Sequence, residues 1–153
     1  MAMEWTLAPF HALRPADIHA VFALRSNVFI VEQRCPYPDV DDLDLDALHL
    51  LGNKPDMGLV AYARIIPPTG DEVPHIGRVV VRADHRGQGL GHELLRVVLD
   101  HLQHRFGSPR SALAAQQHLQ AFYEQHGFRT TSDAYDLDGI PHVDMVHTGA
   151  PST

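Results

Sequence analysis

The stretch VRADHRGQGLGHELL, from Val81 to Leu95, packs three glycines into five residues and then begins a helical pattern. The preceding segment His75–Val81 (HIGRVVV) is rich in β-branched residues and predicts a buried strand. The following segment Leu90–Phe106 has apolar residues at helical spacing, and Gly107 and Pro109 follow it, so it predicts a long amphipathic helix. The turn between them would expose backbone N–H groups at a positive helix N-terminus, which favours a phosphate.

Two common nucleotide motifs do not fit this turn. A P-loop requires a lysine and then a serine or threonine after its last glycine, whereas His92 follows Gly91 and Lys54 is the only lysine in the chain. A dinucleotide fingerprint that starts at Gly87 would need a glycine in place of His92. A glycine turn without a lysine or a magnesium ligand instead indicates the pyrophosphate of a carrier cofactor.

Length and composition predict one globular domain. A chain of 153 residues can build one hydrophobic core, and its apolar runs are far shorter than the roughly 20 residues that span a bilayer. The first residues do not resemble a secretion signal and Cys35 is the only cysteine, so we expect a cytoplasmic protein without disulfides. The formal charge of −7 argues against a nucleic-acid partner and favours cationic substrates. We assign residues 1–148 to the domain and 149–153 to a disordered tail.

The remaining segments predict a mixed α/β domain, in which strands and helices alternate irregularly. Helices are expected from Pro15 to about Asn27 and over His118–His126, whereas Val28–Gln33 fits either a strand or a buried helical turn. The further expected strands are Glu4–Pro9, Ala47–Leu51, Leu59–Pro67, Arg110–Ala115, Phe128–Tyr135 and His142–Thr148, with the second and third forming a hairpin.

The segment Arg34–Asp46 predicts a loop, because Pro36 and Pro38 interrupt both strands and helices. Its five aspartates do not follow EF-hand spacing. They are compatible with a solvated loop and with an acidic rim that attracts a cationic amine. The 12 histidines form no H-E-x-x-H motif and a single cysteine cannot form a zinc-finger pattern, so we expect no metal site.

The glycine turn also resembles a family signature. RGQGLG (Arg86–Gly91) is similar to the [RQ]-x-x-G-x-[GA] motif of the GCN5-related N-acetyltransferases (GNAT), in which this turn binds the pyrophosphate of acetyl-coenzyme A (acetyl-CoA). IGRVVV (76–81) resembles the central strand of that family, and AFYEQHGF (121–128) resembles its second conserved block. Similarity to the ElaA-like branch covers nearly the whole chain, through the segments LRSNVFIVEQRCPYPDVDDLD, HLLG, LVAYARI, IGRVVV, QQHLQAFYEQHGF and GIPHVDM.

The resemblance implies a GNAT fold, with a mostly antiparallel mixed sheet of about six to seven strands flanked by about four helices. It implies acetyl-CoA as the cosubstrate and no metal. The implied cofactor-binding residues are Val79, Val80, Val81, Arg86, Gly87, Gln88, Gly89, Leu90, Gly91, Gln116 and Phe122.

The resemblance also suggests catalytic and acceptor-binding residues. Tyr123 lies where a phenol in this family often protonates the leaving thiolate of coenzyme A. His142 is a candidate base or acceptor-binding group, and Glu32 and His49 are alternatives as the base. The candidates for lining the acceptor pocket are Glu32, Gln33 and Tyr37. Cys35 is given no role.

The expected reaction is acetyl transfer from acetyl-CoA to a primary amine by direct attack in a ternary complex. The sequence leaves the acceptor open and is compatible with a homodimer, and we expect neither a nucleic-acid nor a membrane partner. A non-catalytic domain that binds or senses acyl-CoA is the alternative function. A dinucleotide-binding regulatory module is a third.

Overall fold

A single mixed sheet organises the chain in the computed structural model, which describes residues 2–149. The strands run in the order β1-β2-β3-β4-β5-β8-β6, and β7 also pairs with β8. They are β1 (Glu4–Pro9), β2 (Leu48–Lys54), β3 (Gly58–Ile66), β4 (His75–Val81), β5 (Ser111–Gln116), β6 (Phe128–Thr130), β7 (Tyr135–Leu137) and β8 (Ile140–His147). The α-helices are α1 (Pro15–Arg25), α2 (Leu43–Asp46), α3 (Leu90–Phe106) and α4 (Gln120–Glu124).

The sheet is covered on both faces because its central strands are apolar on both sides. On one face, Ala61, Ala63 and Ile65 of β3 pack in the same cluster as the buried side of α3. On the other face, Tyr62 of β3 packs with residues of α1. The buried residues of α3 are Leu94, Leu95, Val98 and Leu102, as the helical spacing predicts.

The strands β4 and β5 are joined at only one point. They are parallel neighbours, and His75 with Ala112 is their one registered pair. The N–H of Ala112 donates to the Pro74 carbonyl at 3.0 Å next to this pair. All other pairs of neighbouring strands are antiparallel. The sheet is therefore open between the C-terminal parts of β4 and β5, and the inner edges of both strands are exposed to this gap.

The segment Ser26–Glu32, which the sequence left open, is a π-helical continuation of α1. The N–H of Gln33 donates to the Val28 carbonyl at 3.1 Å, five residues earlier, and Cys35 bonds Ile30 in the same way. π-Helical turns are rare and are often found at functional sites.

Several predicted boundaries differ from the structure. The sheet has eight strands instead of six to seven, because the predicted strand Phe128–Tyr135 is divided into β6 and β7. The chain leaves β6 at Thr131 and Ser132, which both bond the backbone of Asp144. The predicted helix His118–His126 is a short 3₁₀ turn followed by α4. Residues 150–153 of the predicted tail lie outside the described residues.

The acidic segment after Pro38 differs from both sequence-based interpretations, because two of its five aspartates are buried and Leu43–Asp46 is a short helix; Asp42 and Asp46 are exposed. Asp39 and Asp44 are 3% and 1% exposed. Arg25, which is fully buried, donates to Asp39 Oδ2 at 2.9 Å and to Asp44 Oδ1 at 2.7 Å. Arg64 lies 2.7 Å from Asp41 Oδ1 and 3.1 Å from Asp44 Oδ1. These ion pairs fix the segment against α1 and β3.

Asp44 allows a test of this buried network. Burial alone would raise the pKa of Asp44. Hydrogen bonds from Arg25, the Asp41 N–H and Arg64, together with the positive charge of Arg25, bring the pKa below its ordinary value. Asp44→Asn removes a negative charge that balances the buried positive charge of Arg25. We therefore expect a loss of about 3–5 kcal/mol in the free energy of unfolding, measured with denaturant.

Asp84→Asn is the matched control, because Asp84 pairs with Arg82 at the exposed surface. We expect a much smaller change in this variant. Because the folded-state pKa of Asp44 is lowered, its stabilising effect is complete above the ordinary carboxyl pKa and is lost as the pH falls through the folded-state value. Equal stability of Asp44→Asn and wild type at neutral pH would contradict this role.

Candidate active site

The glycine turn that connects β4 to α3 has the geometry of an anion site. Gly87 and Gly89 have φ values of +77° and +79°, which glycine adopts without strain. A Cβ built at either position would have no heavy atom within 4 Å, so the backbone faces open space. Gly89 is the N-cap of α3, which is 17 residues long. The N–H groups and the positive end of the helix dipole are therefore available to a negatively charged group.

Two adjoining pockets open along the gap between β4 and β5. The larger pocket has a cavity volume of about 540 Å³ and contains the glycine turn. The smaller pocket, of about 200 Å³, is enclosed by the segment after the π-helical turn, by β4 and β5, and by the β7–β8 hairpin. The residues that line both pockets are Phe29, Gln33, Val79, Gln116, Leu119 and Tyr123. These six residues mark the place where the pockets meet.

Most of the predicted cofactor-binding residues are together in the larger pocket. The lining includes Val79, Val80, Val81, Arg86, Gly87, Gly89, Leu90, Gly91, Gln116 and Phe122. Gln88 is exposed at the tip of the turn and does not line either pocket. The ring of Phe122 lies 3.5 Å from the position that a Cβ of Gly91 would take, so it packs directly beneath the turn.

Tyr123 lies at the junction of the pockets and is 5% exposed. It is held by aromatic contacts, with its ring centroid 5.1 Å from that of Phe122 and 5.9 Å from that of Phe128. Its hydroxyl makes no hydrogen bond to another described residue. Burial raises the pKa of Tyr123, so the phenol remains protonated at neutral pH.

His142 lines the smaller pocket from β8. Its Nδ1 lies 2.7 Å from the Ile140 carbonyl oxygen. A carbonyl oxygen only accepts hydrogen bonds, so Nδ1 carries the proton in the neutral ring and Nε2 keeps its lone pair. The ring stacks on Tyr135, with the centroids 6.3 Å apart, which fixes its orientation.

Glu32 and Gln33, predicted as acceptor-site residues, take different positions. Glu32 lines the larger pocket and not the smaller one, because Arg86 Nη1 donates to its Oε2 at 2.6 Å. Gln33 lies at the junction, where Gln116 Nε2 donates to its Oε1 at 3.2 Å. The side chains of Gln33 and Gln116 therefore bridge the gap between the π-helical segment and β5.

Tyr37 and Cys35 both line the smaller pocket. The hydroxyl of Tyr37 donates to Asp39 Oδ1 at 2.6 Å. Cys35, to which the sequence assigned no role, is buried and its Sγ donates to the Asp138 carbonyl at 3.2 Å. His49 lines neither pocket: its ring bonds the Tyr62 hydroxyl and the Asp44 carbonyl inside the buried network. His49 is therefore not placed to act as the base.

A family model described as an acetyltransferase (GNAT) domain matches residues 44–148. The chain belongs to the GNAT family. It is 42% identical over 146 residues to ElaA of Escherichia coli, covering 94% of this chain and 95% of that protein. It is also 42% identical over 144 residues to a UPF0039 protein of Schizosaccharomyces pombe, with coverage of 94% and 95%.

Solved structures of GNAT proteins agree with this assignment. An acyl-CoA N-acyltransferase from Pseudomonas aeruginosa matches with a TM-score of 0.90 and 39% identity, covering 96% of this chain and 100% of that chain. The structure of E. coli ElaA matches with a TM-score of 0.87 and 39% identity, covering 95% and 99%. The chain therefore has the GNAT acyl-CoA N-acyltransferase fold, which supports acyl transfer from coenzyme A.

The structure adds GNAT pocket residues that the sequence did not indicate. Phe29 and Leu119 line both pockets, and His92 and His118 line the larger one. Phe29 was not predicted as a pocket residue, because the six residues Val28–Gln33 are too few for a pattern that indicates a π-helical turn. His92 packs on Phe122, with ring centroids 4.8 Å apart, and its Nδ1 lies 2.9 Å from His126 Nε2.

Residues 2–149 contain no group of three or more histidine, cysteine or carboxylate side chains arranged to hold a metal ion. No helix of this part of the chain combines the length and the apolarity needed to span a membrane.

All four tyrosines should resist ionisation in the folded protein. Burial raises the pKa of Tyr37, Tyr62 and Tyr123, and the hydrogen bond to Asp144 raises the pKa of Tyr135 to about 12. We therefore expect no phenolate absorbance in the folded protein near pH 10, the ordinary tyrosine value.

An ultraviolet titration, with circular dichroism recorded in parallel, checks this expectation. Because the unfolded chain ionises its tyrosines first, their contribution to stability is complete below about pH 10 and is lost as the pH rises further. A phenolate signal at about pH 10 from protein that is still folded would contradict the assigned environments.

Proposed function

We propose that the protein transfers an acetyl group from acetyl-CoA to a primary amine by direct attack. The observation that carries the proposal is the pair of pockets that meet at Tyr123. One pocket contains an anion-binding turn and the other contains a histidine with a free lone pair. The two reactants can enter from opposite sides and meet without a covalent enzyme intermediate, as a ternary complex requires.

The larger pocket fits coenzyme A. The N–H groups of Arg86–Gly91 would hold the pyrophosphate at the N-terminus of α3, where neither a side chain nor backbone obstructs the open faces of Gly87 and Gly89. The pantetheine arm would lie in the gap and add to the free edge of β4 in the manner of an extra strand. A backbone N–H of Val79–Val81 would then polarise the thioester carbonyl.

The smaller pocket fits the amine. A primary alkylamine has a pKa of about 10 and is protonated at neutral pH, so it must lose a proton before it can attack. Nε2 of His142 would take this proton, because Nδ1 is already engaged with the Ile140 carbonyl. A volume of about 200 Å³ admits a slender alkylamine, since a cavity of about 150 Å³ holds a benzene-sized molecule.

Tyr123 would complete the transfer. The amine nitrogen forms a bond to the carbonyl carbon and releases its second proton to solvent. The bond from carbon to sulfur breaks, and the departing thiolate takes the proton of the Tyr123 hydroxyl. The raised pKa of Tyr123 keeps the phenol protonated before the transfer, and solvent restores the proton afterwards. The products are the amide and free coenzyme A.

A screen of amines with acetyl-CoA, read by release of free thiol, tests the function directly. The panel should include monoamines, diamines, amino acids and peptides with a free N-terminus or lysine. Thiol release with at least one slender amine supports the proposal. Tight binding of acetyl-CoA without release across the whole panel would instead favour a binding or sensing role.

Gly89→Glu tests the pyrophosphate site. The new carboxylate would lie against the phosphates, and because like charges in contact cost several kcal/mol, we expect affinity for acetyl-CoA to fall by at least about 100-fold in calorimetry. Gly70→Glu is the matched control. Gly70 also has a positive φ, of +61°, and open space around it, but it lies in the β3–β4 turn away from both pockets. If Gly89→Glu and Gly70→Glu bind acetyl-CoA with equal affinity, the glycine turn is not the pyrophosphate site.

Tyr123→Phe tests the proton donor. Removing a general acid costs about 100-fold or more in kcat, whereas the affinity for acetyl-CoA should change little because the ring remains. Tyr62→Phe is the control, since Tyr62 is equally buried but lines neither pocket. We expect a near-normal kcat for Tyr62→Phe even if it is less stable. An unchanged kcat for Tyr123→Phe would remove the hydroxyl from the mechanism.

A further inference from the structure

Strand β4 carries one extra residue beside the junction of the pockets. Its pairing with β3 shifts between Tyr62 and Arg64, so that Arg78 and Val79 together oppose a single residue of β3. Arg78 has a φ of +51°, a left-handed conformation that is strained for residues other than glycine. Such strain persists only where the surroundings enforce it, and it is concentrated at functional sites.

The contacts of Arg78 explain what enforces this conformation. Its Nη2 donates to the Asp39 carbonyl at 3.0 Å, and its Nε lies 2.9 Å from Asp39 Oδ1. The guanidinium lies over the ring of Tyr37, 5.5 Å from the centroid, and Nη2 is 3.3 Å from Asp41 Oδ2. Because the Tyr37 hydroxyl donates to the same carboxylate, Arg78, Asp39 and Tyr37 form a closed set of contacts. We call these three residues the wall triad.

The wall triad adds to anchors that the segment already has, because Arg64 of β3 pairs with Asp41 and Asp44. Arg25 already binds Asp39 through its side chain and its carbonyl, at 2.9 and 2.6 Å, and it binds Asp44 through two further hydrogen bonds. Arg25 is fully buried, whereas the side chain of Arg78 is 21% exposed. The strained residue therefore adds a third attachment, after those of Arg25 and Arg64, on the side of the segment that faces the smaller pocket.

The wall triad encloses the pocket at a defined place. Arg78 and Tyr37 line the smaller pocket, as do Cys35 and the neighbour of Arg78 in the bulge, Val79. Val79 also lines the larger pocket. The bulge thus connects the strand edge proposed to hold the cofactor with the wall that limits the space for the acceptor.

We propose that Arg78 is a positioning residue that, through Asp39 and Tyr37, keeps the wall of the smaller pocket closed and so restricts the acceptor to slender amines. The identity of the occupant rests on the proposed function, whereas the closure of the wall does not. Without Arg78, the pocket gives bulkier amines access and holds a slender amine less firmly at the junction. Binding of acetyl-CoA changes little, because the pantetheine arm is proposed to pair with the backbone of β4 and not with the Arg78 side chain, and because the glycine turn lies beyond the bulge.

Cys35 gives a direct readout of the wall that needs no substrate. It is the only cysteine, it is 6% exposed, and it lines the same pocket. Its rate of reaction with a colorimetric aromatic disulfide reports how often the wall opens. We expect Arg78→Met to increase this rate by at least about tenfold, because local openings of the native state control access to buried groups.

The control variant is Arg82→Met. Arg82 also follows from β4, is 31% exposed and pairs with Asp84, but it lines neither of the two pockets. It should react at the wild-type rate. Tyr37→Phe keeps the ring and removes only the bond to Asp39, so it provides a second variant if Arg78→Met folds poorly. Tyr37→Phe should show a smaller increase than Arg78→Met, and its unfolding midpoint, measured in parallel, separates local opening of the wall from a loss of global stability.

Steady-state kinetics separate positioning from a general structural effect. With an amine that reacts in the screen, Arg78→Met should raise the acceptor KM by about tenfold. The loosened wall binds the amine less tightly, whereas the proposed catalytic side chains are still present. The affinity for acetyl-CoA should remain that of wild type.

An unchanged labelling rate of Cys35 in Arg78→Met would overturn the proposal, and so would an equal loss of affinity for both substrates. If no amine reacts with wild-type protein, the proposed function fails by itself and the labelling rate still decides whether the wall triad holds the pocket closed.

Discussion

The incomplete pairing of β4 with β5 is the constraint on which the rest of the structure depends. Parallel neighbours normally continue their hydrogen bonds along the sheet, but these two strands share only the pair His75 and Ala112. The unpaired edges cannot stay buried without partners, so the gap is a place where an extended ligand can supply them. Both pockets, the glycine turn and Tyr123 are arranged around this gap.

The two sides of the gap are built in different ways. The cofactor side uses backbone, namely the edge of β4 and the amides before α3, because a pyrophosphate is recognised well by N–H groups. The acceptor side uses side chains whose positions depend on a buried network of Arg25, Arg64 and three aspartates. Breaking one partner of such a network leaves a buried charge, so this side is sensitive to single substitutions.

The sequence predicted the local features of the fold well. The glycine turn, the helix Leu90–Phe106 and the strand before it have short-range patterns, and the structure confirms all three. Features that depend on distant residues were not predictable. The burial of Asp39 and Asp44 requires Arg25, which is 14 and 19 residues away. The bulge at Arg78 and the gap after His75 arise from strand pairing, which leaves no local pattern. Cys35 bonds Asp138, which is 103 residues away, so no local pattern indicates this contact either.

A crystal structure of the protein with acetyl-CoA bound tests whether the gap between β4 and β5 is the cofactor site. We expect a pyrophosphate on the amides of Arg86–Gly91, a pantetheine arm along the free edge of Gly77–Val81, and a thioester sulfur beside the Tyr123 hydroxyl, with β4 and β5 still apart. Acetyl-CoA bound outside this gap, or β4 and β5 hydrogen-bonded along their length with the cofactor elsewhere, would contradict it.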